Sequence, residues 1–273
     1  MYEVPATSAF VLLFTEKDIY DGSAAKRFLS SVDLTAGQGL KDHFKDAWDL
    51  AYAEIATRKV RVKQLSQEYL HANPGAQVVS LGGGLDPMTL DLAELFPEAS
   101  VFDVDMDQMD VKAEITAAID GPRVHFVTAH LGDASALTQS LMAAGWDAGA
   151  PTLVVAEGIT YYVPAPIFAQ ALAAVRTDGG ALVLEYSLPD DEITDANHKE
   201  TMVAFYPELT TLLQLPFPMV RYSSSYVQTL AGQLRGKVAK TLYEHEAELL
   251  MKGRNEFFGA PDSGVIRVSL IRF

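Results

Sequence analysis

Cysteine is absent from the 273-residue chain. That excludes disulfides, thiolate nucleophiles and cysteine-ligated zinc. Positive charge is scarce, with 21 Lys and Arg against 36 Asp and Glu and a formal net charge of −15. A nucleic acid or an anionic membrane demands the opposite balance, so neither is expected as a partner. The acid excess names no partner of its own, since solubility alone accounts for it. Long apolar runs are missing as well. A short one, Phe10-Val11-Leu12-Leu13-Phe14, follows no basic segment and is too short for a signal peptide or a spanning helix. A cytoplasmic, soluble protein is the default expectation. Gly-x-Ser-x-Gly does not occur, and Ser223-Ser224-Ser225 falls in an apparent loop with no paired base. His43, His71, His125, His198 and His245 are scattered without metal-ligand spacing, and no metal is expected. No internal repeat or low-complexity tract is visible.

What remains is a chain with the make-up of a folded globular protein, 49% hydrophobic and 21% charged. Its length suits one large α/β domain or a core with a cap. Residues 1–74 read as helical, with apolar residues at three- and four-residue spacing over 23–32 and 41–70 and a stop at Asn73-Pro74-Gly75. From Gln77 the texture changes to short β-rich runs at 77–81, 100–104, 123–128, 152–156 and 180–186, separated by helical stretches. That alternation predicts a parallel sheet with helices on both faces. After Ser187 the rhythm breaks: 189–201 is acidic and polar, and 202–215 reads as a helix stopped by Pro216 and Pro218. Two more strands are expected at 238–243 and 265–273. The last places Ile266, Val268 and Leu270 opposite Arg267 and Ser269, which predicts an antiparallel strand with one wet face. The expected organisation is a single domain over 1–273. It divides into a helical cap (1–74), a cofactor-binding core (75–187), a lid insertion (188–235) and closing antiparallel strands (236–273).

The densest signal is Leu81-Gly82-Gly83-Gly84-Leu85 after the apolar Val78-Val79, answered twenty residues later by Val101-Phe102-Asp103-Val104-Asp105. A buried strand, a glycine turn opening a helix and a carboxylate at the tip of the next strand form the pattern by which α/β proteins hold adenosine. Glycines let the backbone approach the ligand, and the acid accepts from ribose hydroxyls. Asp105, nearer the carboxyl edge of the sheet than Asp103, is the expected ribose acid, with Met106 beside it. The third glycine of a dinucleotide fingerprint is replaced by Pro87, which disfavours a pyrophosphate and favours adenosine without phosphates. Glu157 and Gly158 end the apolar run Leu153-Val154-Val155-Ala156, placing a second acid at the same edge, where it serves a ligand or caps a helix. Tyr161 and Tyr162 wall a substrate pocket or pack in the core. His130, Leu131 and Asp133 follow the third strand, where adenine is read in such a fold, and His130 is the sole candidate general base.

Together these residues resemble the leucine carboxyl methyltransferase family, which includes bacterial O-methyltransferases of polyketides and other small molecules. Val78-Val79-Ser80-Leu81-Gly82-Gly83-Gly84-Leu85-Asp86 is similar to its first-strand motif, V-x-L-G-A-G-L-D. The run ending at Asp105 resembles its second-strand segment, with Lys112 near the family lysine. Ala156-Glu157-Gly158-Ile159-Thr160-Tyr161-Tyr162-Val163 resembles A-E-G-V-L-x-Y-L, whose glutamate contacts the cofactor. Arg58 stands where the family places an arginine for the methionine carboxylate. Asp18-Ile19-Tyr20-Asp21, with Ala24, Phe28 and Leu29, weakly echoes its N-terminal motif. The resemblance runs over roughly residues 15–190. Departures are Pro87-Met88 in place of Thr-Arg, Asp107 in place of a proline, and His130 in place of the adenine-reading aspartate.

The resemblance implies S-adenosyl-L-methionine as cofactor and a class I, Rossmann-like, doubly wound α/β fold with a mostly parallel seven-stranded sheet. It implies cofactor contacts from Arg58, Gly82, Gly83, Gly84, Asp105, Met106, His130, Leu131, Asp133, Glu157 and Gly158. Tyr161, Tyr162 and Tyr206 are the expected substrate wall, and Phe217, Met219, Tyr222 and Tyr226 are available to a lid. Methyl transfer needs alignment and exclusion of water above all, and a carboxylate acceptor needs no base. The expected activity is O-methylation of a carboxylate or acidic hydroxyl on a small molecule. A nicotinamide- or flavin-dependent oxidoreductase and a non-catalytic methyltransferase-like binding protein are the competing readings.

Overall fold

The structure, a computed structural model, describes residues 1–15 and 17–273. The chain begins with strand β1 (Tyr2–Glu3), helices α1 (Ala6–Leu13) and α2 (Ser23–Ser31), strand β2 (Val32–Asp33), and helices α3 (Gln38–His43) and α4 (Trp48–Ala72). The alternating core follows: β3 (Gln77–Leu81), α5 (Met88–Leu95), β4 (Val101–Asp105), α6 (Met109–Ala118), β5 (His125–Thr128), α7 (Ala134–Ala143), β6 (Thr152–Ala156), α8 (Ala165–Val175) and β7 (Ala181–Ser187). It ends with α9 (Ala196–Leu212), α10 (Ser224–Gln233), β8 (Lys237–Leu242), α11 (Glu244–Lys252) and β9 (Ile266–Arg272). Among the described residues, no helix is long and apolar enough to cross a membrane.

β1 and β2 pair only with each other, and the other strands form one seven-stranded sheet in the order β5-β4-β3-β6-β7-β9-β8. β3 to β7 are mutually parallel, and β9 alone runs against its neighbours β7 and β8. Val79 of β3 lies opposite Phe102 of β4 on one side and Val154 of β6 on the other. Val79 and Leu81 face a core built with α7, α8, α9 and α10, while Val78 faces one built with α2, α4, α5 and α6. Both faces are covered, so the central strands are apolar throughout rather than alternating. The chain reverses direction across the sheet between β3 and β6, and the crevice above that point is where such sheets take ligands.

Five expectations change. β9 has no wet face: inserted between β7 and β8, it is covered on both sides, and Arg267 (5% exposed) and Ser269 (1%) are buried. Arg267 is admitted because Glu244 Oε2 lies 2.9 Å from its Nη1 and the Asp262 carbonyl accepts from its Nη2 at 2.8 Å. The helix expected over 41–70 is two, broken between α3 and α4 so that Phe44 turns inward against Phe10 and Phe205, with ring centroids 5.9 and 4.7 Å away. α4 is part of the sheet's helix layer rather than of a cap; Glu54, Arg58, Lys59 and Arg61 are all buried along it. The polar stretch before residue 202 is partly helical, because Asp195 caps α9 by accepting from the backbone of Asn197 and His198, each at 3.0 Å. Likewise Ser223 is no loop residue of a serine cluster but the N-cap of α10, its Oγ accepting from Tyr226 N at 3.0 Å.

Candidate functional site

The glycine loop leaves β3 with Gly82 at φ +71° and Gly84 at φ +47°, in the region that favours glycine. The amides of Gly82 and Gly83 donate to the Val104 carbonyl at 2.8 and 3.2 Å, which ties the loop to β4. A Cβ on Gly83 would stand 2.0 Å from Asp103 Oδ1. The two acids of β4 divide their work. Asp103 is fully buried, its Oδ2 accepting from Lys112 Nζ at 2.6 Å and Thr89 Oγ1 at 2.5 Å. Lys112 also donates to the Asp86 carbonyl at 2.5 Å, so this pair props the loop from beneath. Burial pushes the Asp103 carboxyl up despite Lys112 beside it. Asp105 sits at the strand tip, accepting from Gly84 N at 2.9 Å and Asp107 N at 3.2 Å, and opens onto a cavity.

Beside the loop lies a cluster of charges. Glu157 Oε1 accepts from Arg58 Nε at 3.1 Å and Lys59 Nζ at 3.2 Å, so it bridges two cations of α4 rather than capping a helix. Lys59 also pairs closely with Asp86 Oδ2, and the Tyr20 hydroxyl donates to Asp86 Oδ1 at 2.7 Å. Burial opposes the charge on Arg58, but the carboxylates of Glu185 and Glu157 outweigh it and push the guanidinium up. Burial likewise opposes the charge on Lys59, and Asp86 and Glu157 turn the balance upward. Burial works against ionised Asp86 too, yet Lys59 holds it below the usual carboxylate range. Among the described residues, no protein group pairs with Nη1 or Nη2 of Arg58.

Glu185, fully buried on β7, braces the turn after β6. Its Oε2 accepts from Gly158 N at 2.7 Å and its Oε1 accepts a very short bond from the Tyr161 hydroxyl. Gly158, at φ +68°, has no Cβ where Arg58 Nη2 lies 3.6 Å away. Tyr206 stacks on Tyr161, centroids 6.0 Å apart and planes 26° apart. Burial pushes both phenols up, with Glu185 adding to the effect at Tyr161.

Two cavities meet here. A polar one of about 200 Å³ is lined by Arg58, Lys59, Asp86, Glu157 and the three glycines, with Thr7 and Ser8 of α1 across from them. A larger one of about 750 Å³ runs from Gly82, Asp105 and Met106 past His130 and Leu131 to Tyr161, Tyr162 and Tyr206. Arg58, Gly82 and Gly158 line both. Asp133 does not join them: it caps α7, its Oδ1 accepting from Ala136 N at 2.9 Å. His130 is exposed, and its Nδ1 accepts from Gly132 N at 2.9 Å, which leaves the neutral ring with a proton on Nε2 and no free basic nitrogen. Phe217 and Met219 line the large cavity; Tyr222 and Tyr226 pack against each other outside it. Among the described residues, no group of three potential metal ligands occurs.

Sequence reasoning missed Lys59 and Glu185, named Tyr20 only within the N-terminal motif, and gave α1 no place beyond a helical cap. Glu185 carries the signature that exposed Glu157, an acid ending an apolar strand run. α1 closes over the site, Ser8 Oγ donating to Gln108 Oε1 at 3.0 Å, and its short apolar run lines the large cavity through Phe10, Val11 and Phe14.

Among known proteins, an O-methyltransferase family protein from Burkholderia thailandensis is similar in fold. The TM-score is 0.51 at 14% identity, over 94% of this chain and 75% of that one. A Bacillus halodurans C-125 protein assigned as a methyltransferase gives a TM-score of 0.50 at 13% identity, over 77% of this chain and 97% of its own. No curated protein matches the chain. The sequence pattern of the leucine carboxyl methyltransferase family matches residues 7–176, more than half of the chain. The chain therefore belongs to the leucine carboxyl methyltransferase family and is an S-adenosylmethionine-dependent methyltransferase.

Proposed function

We propose that the enzyme transfers methyl to oxygen, on a carboxylate or acidic hydroxyl of a small molecule. The observation that carries this reading is the meeting of a small polar cavity and a large apolar one at Arg58, Gly82 and Gly158, with no free base at the junction. The residues fit the cofactor. The free Nη1 and Nη2 of Arg58 match a carboxylate bidentately, and Glu157 and Asp86 balance Arg58 and Lys59, as a zwitterionic amino-acid end requires. A Cβ on Gly84 would project towards open space, its nearest neighbour being Asp105 Oδ2 at 3.9 Å, so the loop leaves room for a ribose beside Asp105. Arg58 and Glu157 are assigned to the methionine end, Gly82 to Gly84 and Asp105 to the ribose, and Met106, His130 and Leu131 to adenine.

When bound, S-adenosylmethionine supplies a methyl group on a sulfonium for in-line displacement. The chain contributes alignment and dryness. α1 and the segment around α9 exclude water, and Tyr161, Tyr162 and Tyr206 wall the acceptor. Tyr161 and Tyr206 stay protonated, and His130 has its Nδ1 occupied, so the acceptor must arrive ionised. A carboxylate does so near neutral pH, and an acidic enol or phenol does so in part.

Calorimetric titration with S-adenosylhomocysteine, alongside NAD and NADP, tests the cofactor half. Micromolar stoichiometric binding of the first, weakened at least about tenfold in Asp105→Ala through loss of a charged hydrogen bond, is expected. Transfer of labelled methyl to a form released by mild alkali then identifies a carboxyl ester. Binding of a nicotinamide cofactor in place of S-adenosylhomocysteine would overturn the reading.

A further inference from the structure

Charge around the large cavity is confined to a few positions. Of the described residues that line it, the acidic and basic ones are Arg58 on α4, Asp105 at the tip of β4 and Asp107 in the loop after it, with the His130 imidazole after β5. A second stretch of wall comes from residues 202–219, and its lining residues are apolar or aromatic without exception, including Met202, Phe205, Leu209, Leu213, Phe217 and Met219. Residues 202, 205, 209 and 213 follow the helical repeat of α9, so an apolar stripe that would ordinarily face a core faces this hollow instead. Tyr206 is the one hydrogen-bonding side chain on that wall, and its ring lies against Tyr161.

We infer that the acceptor is an apolar monocarboxylic acid: a single anionic head turned towards the positive sulfonium of the bound donor at the glycine-loop end, and an uncharged hydrocarbon body against the α9 wall. The inference rests on the oxygen-methylation reading above. A sugar, a nucleoside or a peptide backbone would carry polar groups to a wall with almost nothing to pair them, and each would be buried without a partner. Methionine and leucine walls adapt to an irregular hydrocarbon. The chemistry agrees with the walls. A lone pair on the carboxylate oxygen forms the new O–C bond as the S–C bond breaks, and that electron pair stays on sulfur. An anion and a sulfonium cation become a neutral ester and a neutral thioether, and no proton is taken or released. Charge is dispersed on the way to the transition state, so a dry apolar surround favours it over the separated ions.

The test titrates the full chain, saturated with sinefungin, whose ammonium stands in for the positive sulfonium, with hexanoate, octanoate and decanoate, and with decyltrimethylammonium as the opposite charge. Affinity is expected to rise about fourfold per methylene, the equivalent of about 0.8 kcal/mol, and the cation should not compete. Leu213→Asp, at a half-buried wall position, should weaken decanoate at least about tenfold with S-adenosylhomocysteine affinity unchanged, which also shows that the variant is folded. In turnover with labelled methyl donor, decanoate should give an alkali-labile product. A flat chain-length series, or preferential binding of the cation, overturns the inference while leaving the methyltransferase site intact. Failure to bind S-adenosylhomocysteine at all would instead strike the cofactor assignment beneath it.

Discussion

Replacing Lys112 with Met removes the cation that neutralises Asp103 under the glycine loop and keeps most of the side-chain bulk. The partners are both fully buried, with 2.6 Å between Nζ and Oδ2. Asp103 then has one escape, to take up a proton. In the unfolded chain its pKa is about 3.9, so holding it neutral at pH 7 costs at most about 4.2 kcal/mol, at 1.36 kcal/mol per pH unit. The folded variant binds one proton more than its unfolded state, so its stability falls as pH rises above about 4. At pH 5 the same defect costs only about 1.5 kcal/mol. With an unfolding entropy of about 2.1 cal/mol/K per residue, the melting temperature should drop by roughly 7 °C at pH 7 and roughly 3 °C at pH 5. Thermal melts of the two proteins at pH 5, 6 and 7 measure this. A gap below about 1 kcal/mol at pH 7, or one that does not change with pH, would refute the argument that Lys112 serves to keep Asp103 ionised.

Gly83→Ala drives a methyl group towards Asp103 Oδ1, on a carboxylate that Lys112 and Thr89 hold in place through its Oδ2. A loss of about 1–3 kcal/mol is expected, against little change for Gly39→Ala, where a Cβ meets nothing within 4 Å; denaturant titration of both decides. Glu185→Ala leaves the Gly158 amide and the Tyr161 hydroxyl without acceptors, about 1–3 kcal/mol each. A drop in unfolding free energy of less than about 1 kcal/mol would show that the brace is not structural. Burial pushes the Asp91 carboxyl up to about 6, although Gly22 N donates to its Oδ1 at 2.6 Å. The native state holds this proton longer than the unfolded chain, so Asp91 erodes stability as pH rises from about 4 to about 6. Asp91→Asn keeps the Gly22 bond and should gain about 1–2 kcal/mol at pH 8 and nothing at pH 4, half the full linkage value being allowed for solvent screening. Equal gains at both pH values would exclude the mechanism.

The sheet was legible wherever a strand is buried on both faces. β3, β4, β6 and β7 announced themselves as apolar runs because nothing polar fits there, and their bounds fell within a residue or two. β9 misled because alternation was read as exposure. Its polar face is buried against Glu244, a partner 23 residues away that no local pattern reveals. The same blindness hid the interior of α4. Glu54 accepts from Val265 N at 3.1 Å, and Arg61 donates to the carbonyls of Leu242 and Ile266 at 3.2 and 3.0 Å. A charged residue buried by long-range pairing looks, in sequence, like one on a solvated face. At the site, Gly82, Asp105 and Glu157 lie at the carboxyl edge of the sheet as their strand-end positions required, and Arg58 reaches it from the middle of α4. Asp133 did not, because the local turn claims its carboxylate as a helix cap.

Phe14 lines the large cavity and stacks on Trp48, rings 4.5 Å apart and inclined by 17°. Phe10, also in the cavity wall, lies 6.0 Å from the same indole. The sequence holds two tryptophans, and the other, Trp146, is buried with its Nε1 donating to Thr152 Oγ1 at 3.1 Å. One indole is therefore a single ring removed from whatever enters the cavity, and the other is a fixed reference. The native emission spectrum becomes an optical gauge of occupancy, with no label attached: a ligand that shifts α1 alters the light from Trp48 and leaves that from Trp146 alone.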